Sequence, residues 1–351
     1  MFYIVCGGKM KIRTMCGYAD GVDIWVPSYD KNMLYKKSEE DECRLVCIPS
    51  GLDVFRNVRK ICMYKNDLFF FSPYECKVGV FNVVDESLIQ WNYYSKKYTQ
   101  ICEILFEDAI CWIIPSDFEF PVLEVNLETK NVREFIFEND TRIFTRGMVV
   151  DGHIYIANRC GGQAIVSEII PSTHFIQNHK IKQLERIECL YVDGDSVWVY
   201  GIDNINKAKI VQISVNSWEV LDEYTFTYSI YNNENALNYF RLFKYDNDFY
   251  LIPENGQPFR IFNWDNKCES IVEGTDSLEI QKNNYFETQL IENVMYIYVR
   301  NKNIIGILEL DSKSYSEVCL FGKAGSVKDM KHTWYRNEGE YDTLSDFIEQ
   351  I

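Results

Sequence analysis

One short phrase recurs about seven times along the chain. It is an apolar stretch, a tight polar turn of Asp, Asn, Gly or Glu, then a run rich in aromatic and β-branched residues. The copies read YADGVDIWVP from Tyr18, YKNDLFFFSP from Tyr64, FEDAICWIIP from Phe106 and VDGHIYIANR from Val150. They continue as VDGDSVWVYG from Val192, YDNDFYLIPE from Tyr245 and IENVMYIYVR from Ile291. Successive copies start 46, 42, 44, 42, 53 and 46 residues apart. A period of this length marks one supersecondary unit per copy, which cannot bury its apolar face alone and must stack on its neighbours.

Each period parses into four strands. In the second, residues 58–64 form the first strand, 68–71 the second, 77–83 the third and 87–93 the fourth. Asn-Asp, Asp-Gly and Glu-Asn suit the first turn, because these residues tolerate positive φ or bond their own backbone. Third strands recur as KVGVFNV, FPVLEVNL, AIVSEII, KIVQISV, FRIFNW and IIGILEL. Pro27, Pro73, Pro115 and Pro253 close four second strands, where a residue without an N–H ends a ladder. With 24 Tyr and 22 Phe, flat side chains are plentiful for the space between twisted sheets.

A period of about 40–50 residues with four strands resembles the blade of a β-propeller. The resemblance covers roughly residues 10–322 and implies an all-β fold of seven, alternatively six, four-stranded antiparallel blades closed into one ring. The Gly-His and Trp-Asp marks of WD40 blades are missing, and only Gly161-Gly162 is similar to the double glycine of kelch blades. No named family follows. The segment MFYIVCG at the start is a candidate ring-closing partner of the last blade.

Length alone, 351 residues, would suggest about two domains. The repeat argues instead for one propeller over 1–322 and a separate tail over 323–351. In that tail Leu344, Phe347, Ile348 and Ile351 fall on one helical face behind a near capping box at Thr343. A short amphipathic C-terminal helix is expected there, docked on the propeller or on a partner.

The formal charge of −16 excludes a global basic footprint for nucleic acid or an anionic membrane. No apolar run approaches a membrane span, and the N-terminus lacks the pattern of a signal peptide. The expected compartment is the cytoplasm. The 12 cysteines then read as reduced, structural thiols, several within strand patterns as at Cys62, Cys111 and Cys319. Cys43 and Cys47 lack the further Cys or His that a zinc site needs.

Catalytic raw material is sparse. The four histidines are His153 in a turn, His174 and His179 five residues apart without ligand partners at suitable spacing, and His332 in the tail. No Ser elbow, P-loop or dinucleotide-binding glycine pattern occurs. The DNINK segment from Asp203 resembles a fragment of a calcium loop but lacks the remaining acidic ligands, so it reads as a hydrated loop. No metal, cofactor or catalytic residue is assigned.

One constellation is sharper. Six residues before the second residue of each first turn stand Thr14, Lys60, Cys102, Arg146, Glu188, Arg241 and Glu287. Two residues earlier, Arg186 is the only charge. One alternating face of an innermost strand points into the central channel. Lys60, Arg146, Arg241, Glu188 and Glu287 are therefore candidate ligand-binding residues at its mouth. Either the cations hold a small anionic ligand, or they pair with the glutamates and water to fill a polar channel. Loops between second and third strands should crown the same end. Their Tyr29, Tyr74, Phe118 and Arg159 are candidate anchors for a protein or peptide partner. Two functions stand: a non-enzymatic interaction module at the channel-mouth face, or a small anionic-ligand binder or enzyme at the channel.

Overall fold

The computed structural model describes residues 10–28, 32–38, 42–49, 52–55, 58–72, 76–95, 101–116, 119–137, 143–160, 163–229, 239–253, 258–275, 286–299 and 303–322. The tail from 323 and the segment MFYIVCG lie outside these, so the expected helix and the expected closing strand do too.

Strands dominate the described residues, and all but two of them belong to seven four-stranded antiparallel sheets, each in the chain order first-second-third-fourth. Blade 1 comprises Tyr18–Ala19, Ile24–Pro27, Leu34–Lys37 and Arg44–Cys47. Blade 2 comprises Lys60–Tyr64, Asp67–Phe71, Lys77–Asn82 and Leu88–Asn92. Blade 3 comprises Ile101–Glu107, Ile110–Pro115, Val122–Asn126 and Val132–Phe135. Blade 4 comprises Ile143–Val150, His153–Cys160, Gln163–Ile170 and Phe175–Lys180. Blade 5 comprises Arg186–Asp193, Ser196–Ile202, Lys207–Ser214 and Val220–Ser229. Blade 6 comprises Tyr239–Tyr245, Asp248–Pro253, Arg260–Asn263 and Cys268–Ile271. Blade 7 comprises Phe286–Ile291, Val294–Val299, Ile304–Glu309 and Ser314–Cys319. The fold is all-β, a seven-bladed propeller. The Gly161-Gly162 pair on which the kelch comparison rests lies outside the described residues.

Turn chemistry sets the blades. In the first turn of blades 2–7 the leading residue is left-handed: Lys65, Asp108, Asp151, Gly194, Asp246 and Glu292 have φ of 50–56°. Two-residue hairpin turns of this hand match the strand twist. The next residue's carbonyl then accepts from the residue after the third strand. Examples are Val83 N to Asn66 O at 2.9 Å and Leu310 N to Asn293 O at 2.8 Å. The turn between third and fourth strands repeats a second left-handed residue: Glu86, Lys130, His174, Trp218, Lys267 and Lys313, at φ 55–59°.

The chain divides into two compact units. One contains blades 3–6, and the other blades 1, 2 and 7. In the first unit the first strands of blades 3, 4, 5 and 6 lie side by side in that order. Apolar residues of neighbouring blades interleave between them. Tyr155, Val166, Val197 and Val211 pack between blades 4 and 5, and Trp198, Tyr200, Phe249 and Phe262 between blades 5 and 6. Burying side chains of this size stabilises the fold by roughly 1.5–3 kcal/mol each.

In the second unit the first strand of blade 1 lies between those of blades 7 and 2. Phe55, Phe70 and Trp25 fill the seam of blades 1 and 2, and Tyr35, Tyr298 and Ile305 that of blades 7 and 1. Met10–Lys11 pairs antiparallel with Phe321–Gly322, and Cys43 N donates to Phe321 O at 2.7 Å. The two ends of the described chain are thus joined to each other and to blade 1.

Candidate functional site

In blades 3–6 the first strand carries the same irregularity. Its ladder with the second strand skips one residue: Cys102 in blade 3, Thr145 in blade 4, Glu188 in blade 5 and Phe240 in blade 6. A bulge of this kind bends the strand and re-aims the side chains beside it. Gly201 makes the bend possible in blade 5, because a Cβ there would overlap the carbonyl oxygen of Arg186. The bulges lie near the strand ends that pair with the exits of the second strands, beside the loops leading to the third.

After the bulge, the residues in register are Glu103, Arg146, Cys189 and Arg241. The counting rule applied to the sequence lands on these in-register positions at Arg146 and Arg241 and one residue before them in blades 3 and 5. There it names Cys102 for Glu103 and Glu188 for Cys189. The cause is the turn. Blade 3 turns at Asp108-Ala109, not Glu107-Asp108, and blade 5 at Gly194-Asp195, not Asp193-Gly194. Counting from the left-handed residue would have found Glu103.

Glu103 is 4% exposed and stands between two guanidinium groups. Arg146 Nη1 lies 3.6 Å from its Oε2, and Arg241 Nη2 lies 3.4 Å from the same atom. Arg146 Nη1 also donates to the Cys102 carbonyl at 3.3 Å. Both arginine side chains are largely buried, at 13% and 14% exposed. In blade 5 Arg186 pairs with Glu188, which is itself buried. Cys189 sits among these groups. Burial pushes its thiol well up, Glu188 adds to the shift, and Arg146 and Arg241 oppose it. The thiol therefore stays protonated and is no nucleophile. Among the described residues, Arg146 and Arg241 both face Glu103, and Arg186 pairs with Glu188.

The other unit has its own pair at the equivalent positions of blades 2 and 7. Lys60 Nζ bonds Glu287, which is 5% exposed. Both act on the buried Cys16, whose thiol is raised mainly by desolvation. Thr14 is fully buried, and its hydroxyl donates to the Cys16 carbonyl at 2.5 Å.

Of the expected partner anchors, Tyr29, Tyr74 and Phe118 lie outside the described residues. Arg159 is in the second strand of blade 4, where its backbone pairs with Ile143 and Ala164. The DNINK loop proves to be a closed turn, in which Asp203 accepts from Ile205 N at 3.0 Å and Lys207 N at 2.8 Å. Among the described residues no cluster of His, Cys, Asp and Glu has metal-holding geometry, and no helix is long and apolar enough to cross a membrane.

No family model and no curated protein matches this sequence. Solved structures do match in shape. A streptogramin B lyase aligns with a TM-score of 0.59 at 11% identity, over 87% of this chain and 94% of that one. The Dos1 propeller aligns at 0.54 and 9% identity, over 90% and 86%. A chain of the nidogen/laminin complex aligns at 0.50 and 8% identity, over 73% and 96%. At such identities the likeness extends to the fold alone, and fold does not carry function.

Proposed function

We propose that this protein is a non-enzymatic recognition module for a protein or peptide partner, and that an acidic side chain of the partner engages Arg146, Arg186 and Arg241. The observation that carries this reading is the convergence of two guanidiniums on Glu103 in a chain of net charge −16. Guanidinium groups on rigid strands are pre-set for carboxylates. Tyr29, Tyr74, Phe118 and Arg159 remain the candidate anchors for that partner. The protonated Cys189 supports binding rather than covalent chemistry. Ten cysteines among the described residues form no disulfide, which supports the cytoplasm as its compartment.

A second reading rests on depth. Cations only 13–14% exposed are more accessible to a small anion than to a protein surface. It makes the arginine cluster of one unit, and separately the Lys60–Glu287 pair of the other, candidate sites of a small anionic-ligand binder or enzyme. The experiment is thermal unfolding with a hexaglutamate peptide, a hexalysine peptide or inorganic phosphate. The comparison variant combines Glu103→Gln, Arg146→Gln and Arg241→Gln, so that no lone charge is left buried. Hexaglutamate should raise the Tm of the wild type by mass action, hexalysine should not, and the variant should lose the gain. A gain with phosphate and none with hexaglutamate selects the second reading. No gain with either leaves a structural ion network and sinks both.

A further inference from the structure

Two of the four histidines share one carboxylate in blade 4. Glu168, buried on the third strand, has Oε1 2.8 Å from His153 Nδ1 and Oε2 3.4 Å from His179 Nε2. Tyr155 also bonds Glu168 through its hydroxyl. His179 is buried on the fourth strand, and its ring lies flat on Trp218, with centroids 3.4 Å apart and planes at 4°. Trp218 comes from blade 5. It is the left-handed residue of the turn between third and fourth strands, and its N–H donates to Ser214 O at 2.9 Å. His179 thus faces a carboxylate of its own blade and is covered by an aromatic ring of the next.

We infer that this contact is a pH-gated clasp, in which neutral His179 holds the Trp218 hairpin of blade 5 and protonation in mildly acidic medium releases it. The groups facing His179 define the electrostatics. Glu168 comes from the third strand and His153 and Tyr155 from the second, with Asp151 acting on Tyr155 from the first turn. The first strand offers apolar Met148 and Val150, and blade 5 offers Trp218, followed by the exposed Glu219. One carboxylate therefore faces two imidazoles. A cation at His179 would lie under the Trp218 ring, where water is excluded and burial disfavours the charge.

The sign is fixed by the balance at His179. Desolvation lowers its pKa, Glu168 raises it, and the former prevails. A histidine with a folded pKa below its unfolded value of about 6.5 binds protons more readily in the open form. The clasp is then fully engaged above about pH 6.5 and weakens as pH falls below that value.

Amide hydrogen exchange of the full chain at pH 7.5 and 5.0, corrected for intrinsic rates, tests this. Exchange in residues 214–220 should rise at the lower pH, by up to about tenfold per unit separating the two pKa values. His153→Gln should keep the effect and His179→Gln should abolish it. An unchanged corrected rate in the wild type overturns the proposal, as does an equal pH response in His179→Gln. Should His179→Gln fail to fold, an NMR titration of the wild type decides: a His179 midpoint above 6.5 refutes the clasp, and one below supports it.

Discussion

Glu103 and Arg241 are 138 residues apart in sequence and three blades apart in the fold, yet Arg241 Nη2 lies 3.4 Å from both carboxylate oxygens of Glu103. The meeting depends on the bulges, which put both side chains in register on first strands of the same unit. Glu103→Gln keeps the shape and removes the charge. Breaking a buried ionic contact costs about 3–5 kcal/mol, and the 3.4–3.6 Å separations place this one at the low end. Urea unfolding should show a lower midpoint with an unchanged slope. Phosphate should restore part of the loss in the variant by taking the place of the carboxylate.

Gly201 sets the path of blade 5 beside that cluster. In Gly201→Ala the new methyl group displaces the Arg186 backbone, because it meets a carbonyl rather than a movable side chain. A loss of about 1–3 kcal/mol is expected, the usual range for overpacking. Chemical shifts of Arg186, Glu188 and Cys189 should move while those of blades 1 and 2 stay in place. A neutral substitution would mean that the strand has slack.

Gln289 of blade 7 acts as a piece of backbone toward blade 1. Its Oε1 accepts from Ala19 N at 2.8 Å, and its Nε2 donates to Ala19 O at 2.9 Å. Ala19 is buried, so both its groups lose their partner in Gln289→Ala. At about 1–3 kcal/mol for each stranded group, the cost should be about 2–6 kcal/mol. Gln289→Glu keeps the acceptor and loses the donor, and should fall between the two. Chemical denaturation of the three proteins gives the order.

Thiol labelling separates the cysteines by depth. Cys268 and Cys319 are exposed. Burial pushes Cys43 and Cys47 up to about 11, and raises Cys111 and Cys189 further. Iodoacetamide at pH 8 should therefore modify Cys268 and Cys319 first, and Cys111 and Cys189 only after denaturation, as read by peptide mass spectrometry. Early labelling of Cys189 would mean that its site is open and its thiol ionised.

The blades were legible because their signals are local. A two-residue turn needs a left-handed residue, an exit needs a residue like Pro27 or Pro115, and each leaves its mark at one spacing. The count of seven followed. The site was only half legible, because a bulge is an agreement between two strands and leaves no mark in either. FEDA offers three polar or small turn positions, and only pairing with the second strand chooses Asp108-Ala109. That single step hid Glu103, the residue that the arginines face. The histidines were obscure for a related reason. His179 and Trp218 lie 39 residues apart with nothing in their spacing to join them, and their contact exists only once two blades have stacked.

The left-handed residue between third and fourth strands gives the stack a direction. In three successive blades it reaches the blade made before its own. His174 stacks on Phe135 at 4.4 Å, Trp218 on His179, and Lys267 pairs with Asp222 at 2.9 Å. The ribosome delivers the chain in the same order. The hairpins of blades 4, 5 and 6 can thus each lock the blade before them as soon as they emerge, without waiting for anything still to be translated.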